Sequence, residues 1–180
     1  MDGSHQAREE MKPLTFFVRG RAATAGSKRG FALKRNGQYT GRVVMSPANP
    51  QEKDWKITVA FAAMEAMKKA ELSKPFDGPM RLEVVFFLQR PKFHFNSTGH
   101  VKPAFSDLHT IKPDTTKLLR CLEDALRQIV WRDDSQVATT LVAKRYGPIP
   151  GAQVSISEES PGESVFGQSF VIPEQSMLSL

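Results

Sequence analysis

The sequence predicts a small mixed domain of the α/β class, α+β in type, with one mixed β-sheet and two main helices. Three observations predict it. Strand-like and helix-like segments follow one another as β, loop, α, β, loop, α, β. Hydrophobic residues make up 40% of 180, enough for a single core. The chain has one cysteine and no apolar run of the roughly 18 residues that a membrane span needs, so neither disulfides nor membrane helices organise it.

The elements justify themselves in order. Residues 1–12 are polar, lack the apolar core of a signal peptide, and are expected as a flexible leader. "LTFFVRG" at 14–20 joins aromatic and β-branched residues and ends in Gly, as a strand does. The next stretch, to Val44, is rich in Gly, Arg and Lys without a lasting period, and reads as a basic loop or irregular hairpin. A helix follows Pro50. Trp55, Val59, Ala62, Ala63, Ala66 and Met67 keep the 3–4 spacing of a buried stripe, and Lys68 and Lys69 suit its C-terminal dipole. "GPMRLEVVFFLQRPK" at 78–92 is the strongest strand. A long polar-aromatic loop then carries Phe93, His94, Phe95, His100, Phe105 and His109. "SQVATTLVAKRYG" at 135–147 reads as the last main strand, and "AQVSIS" at 152–157 as a short edge strand. The domain is expected over residues 13–157, with a disordered tail over 158–180 that is rich in Ser, Gly, Pro and Glu.

Charge narrows the partners. All 25 Lys and Arg lie at or before Arg145, with 15 of the 19 acids, so this part carries a net +10 against +6 for the whole chain. Such a surface fits a polyanion. Arg19, Arg21, Lys28, Arg29, Lys34, Arg35 and Arg42 crowd the N-terminal segment. Cys121 sits within an apolar helical stripe, no Cys/His group has zinc spacing, and a reducing cytoplasmic, intracellular setting is expected.

Against that basic background, "KPDTTKLLRCLEDALRQIVWRDDSQV" at 112–137 concentrates acids. Pro113 blocks helix before it, and Asp114 or Thr115 can cap its start. Leu118, Leu122, Ala125 and Ile129 form an amphipathic stripe that Leu119, Cys121 and Leu126 widen. On the opposite face Thr116, Arg120 and Asp124 step by four. Each acid has an ordinary reading: a cap for Asp114, an i,i+4 ion pair with Arg120 for Asp124, and a polar turn for Asp133 and Asp134. A helix of about 15 residues spans roughly 20 Å, so Asp114 and Asp134 share an ion only if the chain folds back. His109 is expected to face solvent or to serve structure. Phe93, Phe95 and Phe105 are read first as packing, with a wedge or stacking role on the bases of a nucleic-acid partner as the sharper reading.

The order K-P-D, D-A-L, D-D-x-Q-V resembles the signature of the RusA-like Holliday junction resolvases, K-P-D-x-D-N-L-x-K followed by D-A-L and D-D-x-Q-V. The resemblance covers about residues 14–146. It implies a RusA-like α+β fold, an intertwined homodimer, and an Mg²⁺-dependent endodeoxyribonuclease, with Mn²⁺ as a substitute. The expected substrate is branched DNA, a four-way junction nicked symmetrically in recombination and repair, in a prokaryotic or phage setting. Carried over, Asp114 and Asp134 are metal-binding and catalytic. Asp124 belongs with them as the acid of D-A-L, and Asp133 as the neighbour in the acid pair. Arg120 stands where the family has a catalytic lysine. Arg21, Lys28, Arg29, Lys34, Arg35, Lys112, Lys117 and Lys144 are the expected DNA contacts. Thr116 replaces the family's second aspartate and Lys117 its asparagine. Glu123, Asp124, Asp133 or Asp107 is a candidate to fill the missing charge. Two other readings follow: a junction-binding protein with a degenerate, inactive metal site, and a metal nuclease for flaps or single strands.

Overall fold

The structure is a computed structural model that describes residues 12–159 apart from Ser27 and Ala48; the side chains of Lys28, Arg29 and residues 45–47 also lie outside the description. Apart from Lys12, Glu158 and Glu159, the leader expected over 1–12 and the tail expected over 158–180 fall outside the described residues.

The strand β1 (Leu14–Arg19) buries Leu14, Phe16 and Val18, the alternation of a sheet with one covered face. Its partner is remote in sequence: β1 pairs antiparallel with β6 (Gly151–Glu158). The strand β6 also pairs antiparallel with β4 (Met80–Gln89), and β4 runs parallel to β5 (Val137–Gly147). The sheet order is therefore β1-β6-β4-β5. This corrects the expectation that "AQVSIS" forms an edge strand. It lies inside the sheet, because Ala152, Val154 and Ile156 are wholly buried and both backbone edges are paired. Gly151 permits the close approach, since a Cβ there would collide with the Val18 carbonyl and the Phe17 ring.

The basic Gly-rich segment is an antiparallel ribbon of β2 (Lys28–Arg35) and β3 (Gln38–Pro47), apart from the main sheet. Its two-residue turn is Asn36-Gly37, both at positive φ (50° and 82°), the geometry that matches the natural twist of a hairpin.

Helix α1 (Gln51–Lys69) follows Pro50 and buries Trp55, Val59, Ala63, Ala66 and Met67, with Ala62 only partly covered. Helix α2 (Thr115–Leu126) buries Leu118, Cys121, Leu122, Ala125 and Leu126. Burial pushes the Cys121 thiol up to about 11, in keeping with a core residue. The helix is shorter than expected: Gln128 takes a left-handed conformation (φ 67°) and its N–H turns to the Trp131 carbonyl. Helix α1 packs on β1 and α2, and α2 packs on β5, so the two helices cover one face of the sheet. Leu82, Val84 and Phe86 of β4 meet them there with wholly buried Trp131. The parallel pair β4 and β5 is joined by a crossover connection that carries α2.

Candidate active site

The start of α2 is built from β5. Lys144 donates to the carbonyls of Ile111 (2.8 Å) and Pro113 (2.7 Å), fixing the segment that delivers Asp114. Asp114 occupies the N-cap position but its side chain does not cap. The carboxylate instead pairs with Lys117 at 2.9 Å, half exposed. The Lys117 ammonium, with Lys112 and Lys144 farther off, holds that carboxyl below its usual range. The loop before β2 is tied here too: Ala25 N–H donates to the Lys117 carbonyl (2.9 Å) and Gly26 N–H to Glu52 (3.0 Å).

Thr116, Arg120 and Asp124 lie along the exposed line expected of them. The expected Arg120–Asp124 pair does not form. Asp124 pairs with Lys56 of α1 at 2.8 Å, and the same ammonium holds Glu52 at 2.8 Å. Burial pushes Glu52 up, but the Gly26 N–H and Lys56 more than offset it. Burial likewise lowers Lys56, and the two carboxylates more than restore it. Sequence reading missed Lys56, because the partners lie 68 positions apart and no local spacing announces them.

At the other end of α2 the adjacent aspartates divide their work. Asp133 caps a 3-10 turn (Asp134–Gln136), accepting from Ser135 N–H at 3.0 Å, while Gln136 accepts from the Asp133 N–H. Gln136 also donates to the carbonyls of Phe76 (2.9 Å) and Gly78 (3.2 Å), pinning the turn beside β4. Asp134 accepts from the Trp131 indole at 3.0 Å, so a wholly buried ring orients it. Burial, then the charges of Asp134 and Asp124, push the Glu123 carboxyl up. Asp107 is paired with Arg90.

Two acidic positions therefore stand at opposite ends of α2, whose 12 residues span about 18 Å. Oxygen ligands of one Mg²⁺ lie about 2 Å from it. Asp114 stands before that helix, paired with Lys117, and Asp134 beyond it, against Trp131. No group of three or more Asp, Glu, His or Cys suited to a metal occurs among the described residues. Among the described residues of one chain, these acids are not gathered into a donor set for a shared ion.

Of the expected DNA contacts, Arg21 and Lys112 line a cleft of about 580 Å³ that also takes in Lys92 and His109 and has no acid among its described lining residues. Lys34 sits over the Tyr39 ring (4.5 Å) and Arg35 beside the hairpin turn. Lys28 and Arg29 begin β2, with side chains outside the description. Lys117 and Lys144 are engaged with Asp114 and with the carbonyls already named. His109, expected at the surface or in a structural place, is buried (7% exposed) against Tyr146. Burial pushes its imidazole down, Lys144 adds to that, and nearby carbonyls oppose it.

Residues 25–157 match the family described as Endodeoxyribonuclease RusA. The chain belongs to the RusA family. It is a nuclease family, and α2 with its two flanking acid positions lies wholly inside the matched stretch. This RusA-family chain is also similar to the uncharacterized protein YqaN of Bacillus subtilis (strain 168), 31% identical over 152 residues, which make up 83% of this chain and 99% of YqaN. The mixed sheet with two helices is consistent with the family. No helix among the described residues is long and apolar enough to cross a membrane.

Proposed function

We propose that this protein is a structure-specific endodeoxyribonuclease that resolves four-way DNA junctions by paired symmetric nicks, as a homodimer, with Mg²⁺ as its ion and Mn²⁺ as a substitute. The observation that carries the reading is the family match across the motif K-P-D, D-A-L, D-D-x-Q-V, displayed at the two ends of α2. Asp114 and Asp134 are the proposed catalytic and metal-binding acids. Asp124 and Asp133 are weaker members, since Lys56 and the 3-10 turn already engage them. Glu123 joins Asp134 in the proposal because it shares its surroundings.

Because α2 separates Asp114 from Asp134 within a chain, the homodimer has a chemical task. Asp114 of one copy and Asp134 of another would meet at one phosphate, which no single chain arranges. Arg120, exposed midway along α2, would offer charge to the developing phosphorane. It keeps the charge of the family's lysine but not its proton chemistry. Arg21, Lys112 and Lys92 would hold the phosphate chain nearby, a term that weakens as salt rises.

A second reading has its own support. Thr116 brings no carboxylate, and Asp124 is neutralised by Lys56, as in a junction-binding protein that no longer cuts. End-labelled four-way junction, flap, single strand and duplex, each with Mg²⁺ or Mn²⁺, separate the readings. The proposal expects nicks confined to the junction, placed symmetrically across it. Tight junction binding without nicks under either ion would select the binder. A preference for flaps or single strands would select a different nuclease activity.

A further inference from the structure

We infer that Phe93 is a base-stacking residue that packs its ring on the exposed face of an unstacked base at the branch point of the DNA. This rests on the branched-DNA reading above and goes further, by naming the group that tells branched from linear DNA. Beyond β4 the chain makes a 3-10 turn (Lys92–His94), and Phe93 at its middle is 65% exposed. A single exposed apolar residue is ordinary on a surface. This one is mounted. His94 and Phe105 stack face to face at 3.9 Å and 6°, and Phe93 stands edge-on to both, at 4.5 and 5.6 Å. His94, itself 7% exposed, packs in turn on Tyr146.

The loop beneath is held by its own hydrogen bonds. Asn96 accepts from the N–H groups of Thr98 (3.1 Å) and His100 (2.8 Å), Lys102 N–H donates to the His94 carbonyl (2.9 Å), and the Lys102 ammonium donates to the Phe93 carbonyl (2.9 Å). An aromatic ring presented on such a support loses little freedom when it binds.

Its surroundings select the occupant. Lys92, next to Phe93, lines the acid-free cleft with Arg21 and Lys112. None of these three forms an ion pair among the described residues. Asp107, the acid in this loop, is occupied by Arg90. An apolar ring beside free cations fits a ligand with a flat face on a polyanionic chain. Paired bases in linear duplex hide their faces in the stack, whereas bases at a branch point expose them, so the contact forms with branched DNA and not with linear duplex.

The chain's two tryptophans, Trp55 and Trp131, are 3% and 0% exposed, so Phe93→Trp provides a selective optical probe. Its emission is expected to be quenched by a four-way junction and unchanged by linear duplex of the same sequence. Phe93→Ala is expected to lower junction affinity by about tenfold and leave duplex affinity unchanged. Phe93→Trp, which keeps the aromatic face, is expected to retain the junction preference. An unchanged junction-to-duplex ratio in Phe93→Ala would overturn the inference. So would Phe93→Trp emission that shifts with protein concentration in the absence of DNA, which would assign the ring to contact with a second copy. Wild-type protein without any junction preference would instead sink the branched-DNA reading itself.

Discussion

At the scale of single residues, Asp114 has exchanged one role for another. It sits where a helix cap belongs, yet Lys117 takes its carboxylate and the helix starts without a side-chain cap. Removing a cap usually costs about 1 kcal/mol; removing an uncapping, exposed carboxylate should cost little. Asp114→Asn is therefore expected to keep the melting temperature within about 2 °C. It is also expected to bind junctions as well as wild type or better in a gel-shift titration, because a negative charge leaves a site shared with Lys112, Lys117 and Lys144. A collapse of binding would mark Asp114 as structural. Thr116, exposed one turn before Arg120 on the same line, is where the resemblance implies a second acid. Thr116→Asp is expected to lower the Mg²⁺ concentration needed for cleavage in a metal titration. No change would mean that Glu123 or another acid already supplies that charge.

At the scale of elements, α2 ends among the carboxylates Glu123, Asp124 and Asp134. Glu123 is pushed up by burial and by Asp134 and Asp124. A carboxyl raised in the fold favours the folded state while protonated and opposes it once ionised. Its contribution is favourable at low pH and is lost as pH rises through the raised value. Glu123→Gln is expected to melt about 2 °C above wild type at pH 7 in chelator and to show no gain near pH 4. If added Mg²⁺ stabilises wild type, the variant should lose part of that response. Scanning calorimetry in the two buffers measures all three. The apolar face of α2 was legible in the sequence, because period 3.6 is a local property and Leu118, Leu122 and Ala125 obey it. The turn of the β2-β3 ribbon was equally present in Asn36-Gly37 but was submerged among basic residues. The interior place of β6 was not legible: its pattern is short, and its partner β1 lies nearly the whole chain away. The Lys56–Asp124 half of the clamp was hidden for the same reason, as contact across the fold leaves no mark in spacing, whereas Glu52–Lys56 is a local i,i+4 pair.

At the scale of the whole molecule, motif order pointed to the family, while the placement of acids around α2 needed coordinates. The two proposed catalytic acids flank α2, a helix about 18 Å long, and the proposed site draws one acid from each of two chains. Mixing the inactive variants Asp114→Asn and Asp134→Asn tests that division. If each site draws one acid from each copy, half of the hybrid's sites contain both wild-type acids, and the mixture regains single nicks without paired ones. If each site lies within one chain, the mixture stays inactive. The most direct test of the central claim is cleavage mapping on a labelled four-way junction with wild type, Asp114→Asn and Asp134→Asn, at protein concentrations giving equal junction binding. Symmetric nicks by wild type that require Mg²⁺ or Mn²⁺, and none by either variant, are the expected result. Wild-type cleavage retained in both variants would contradict it.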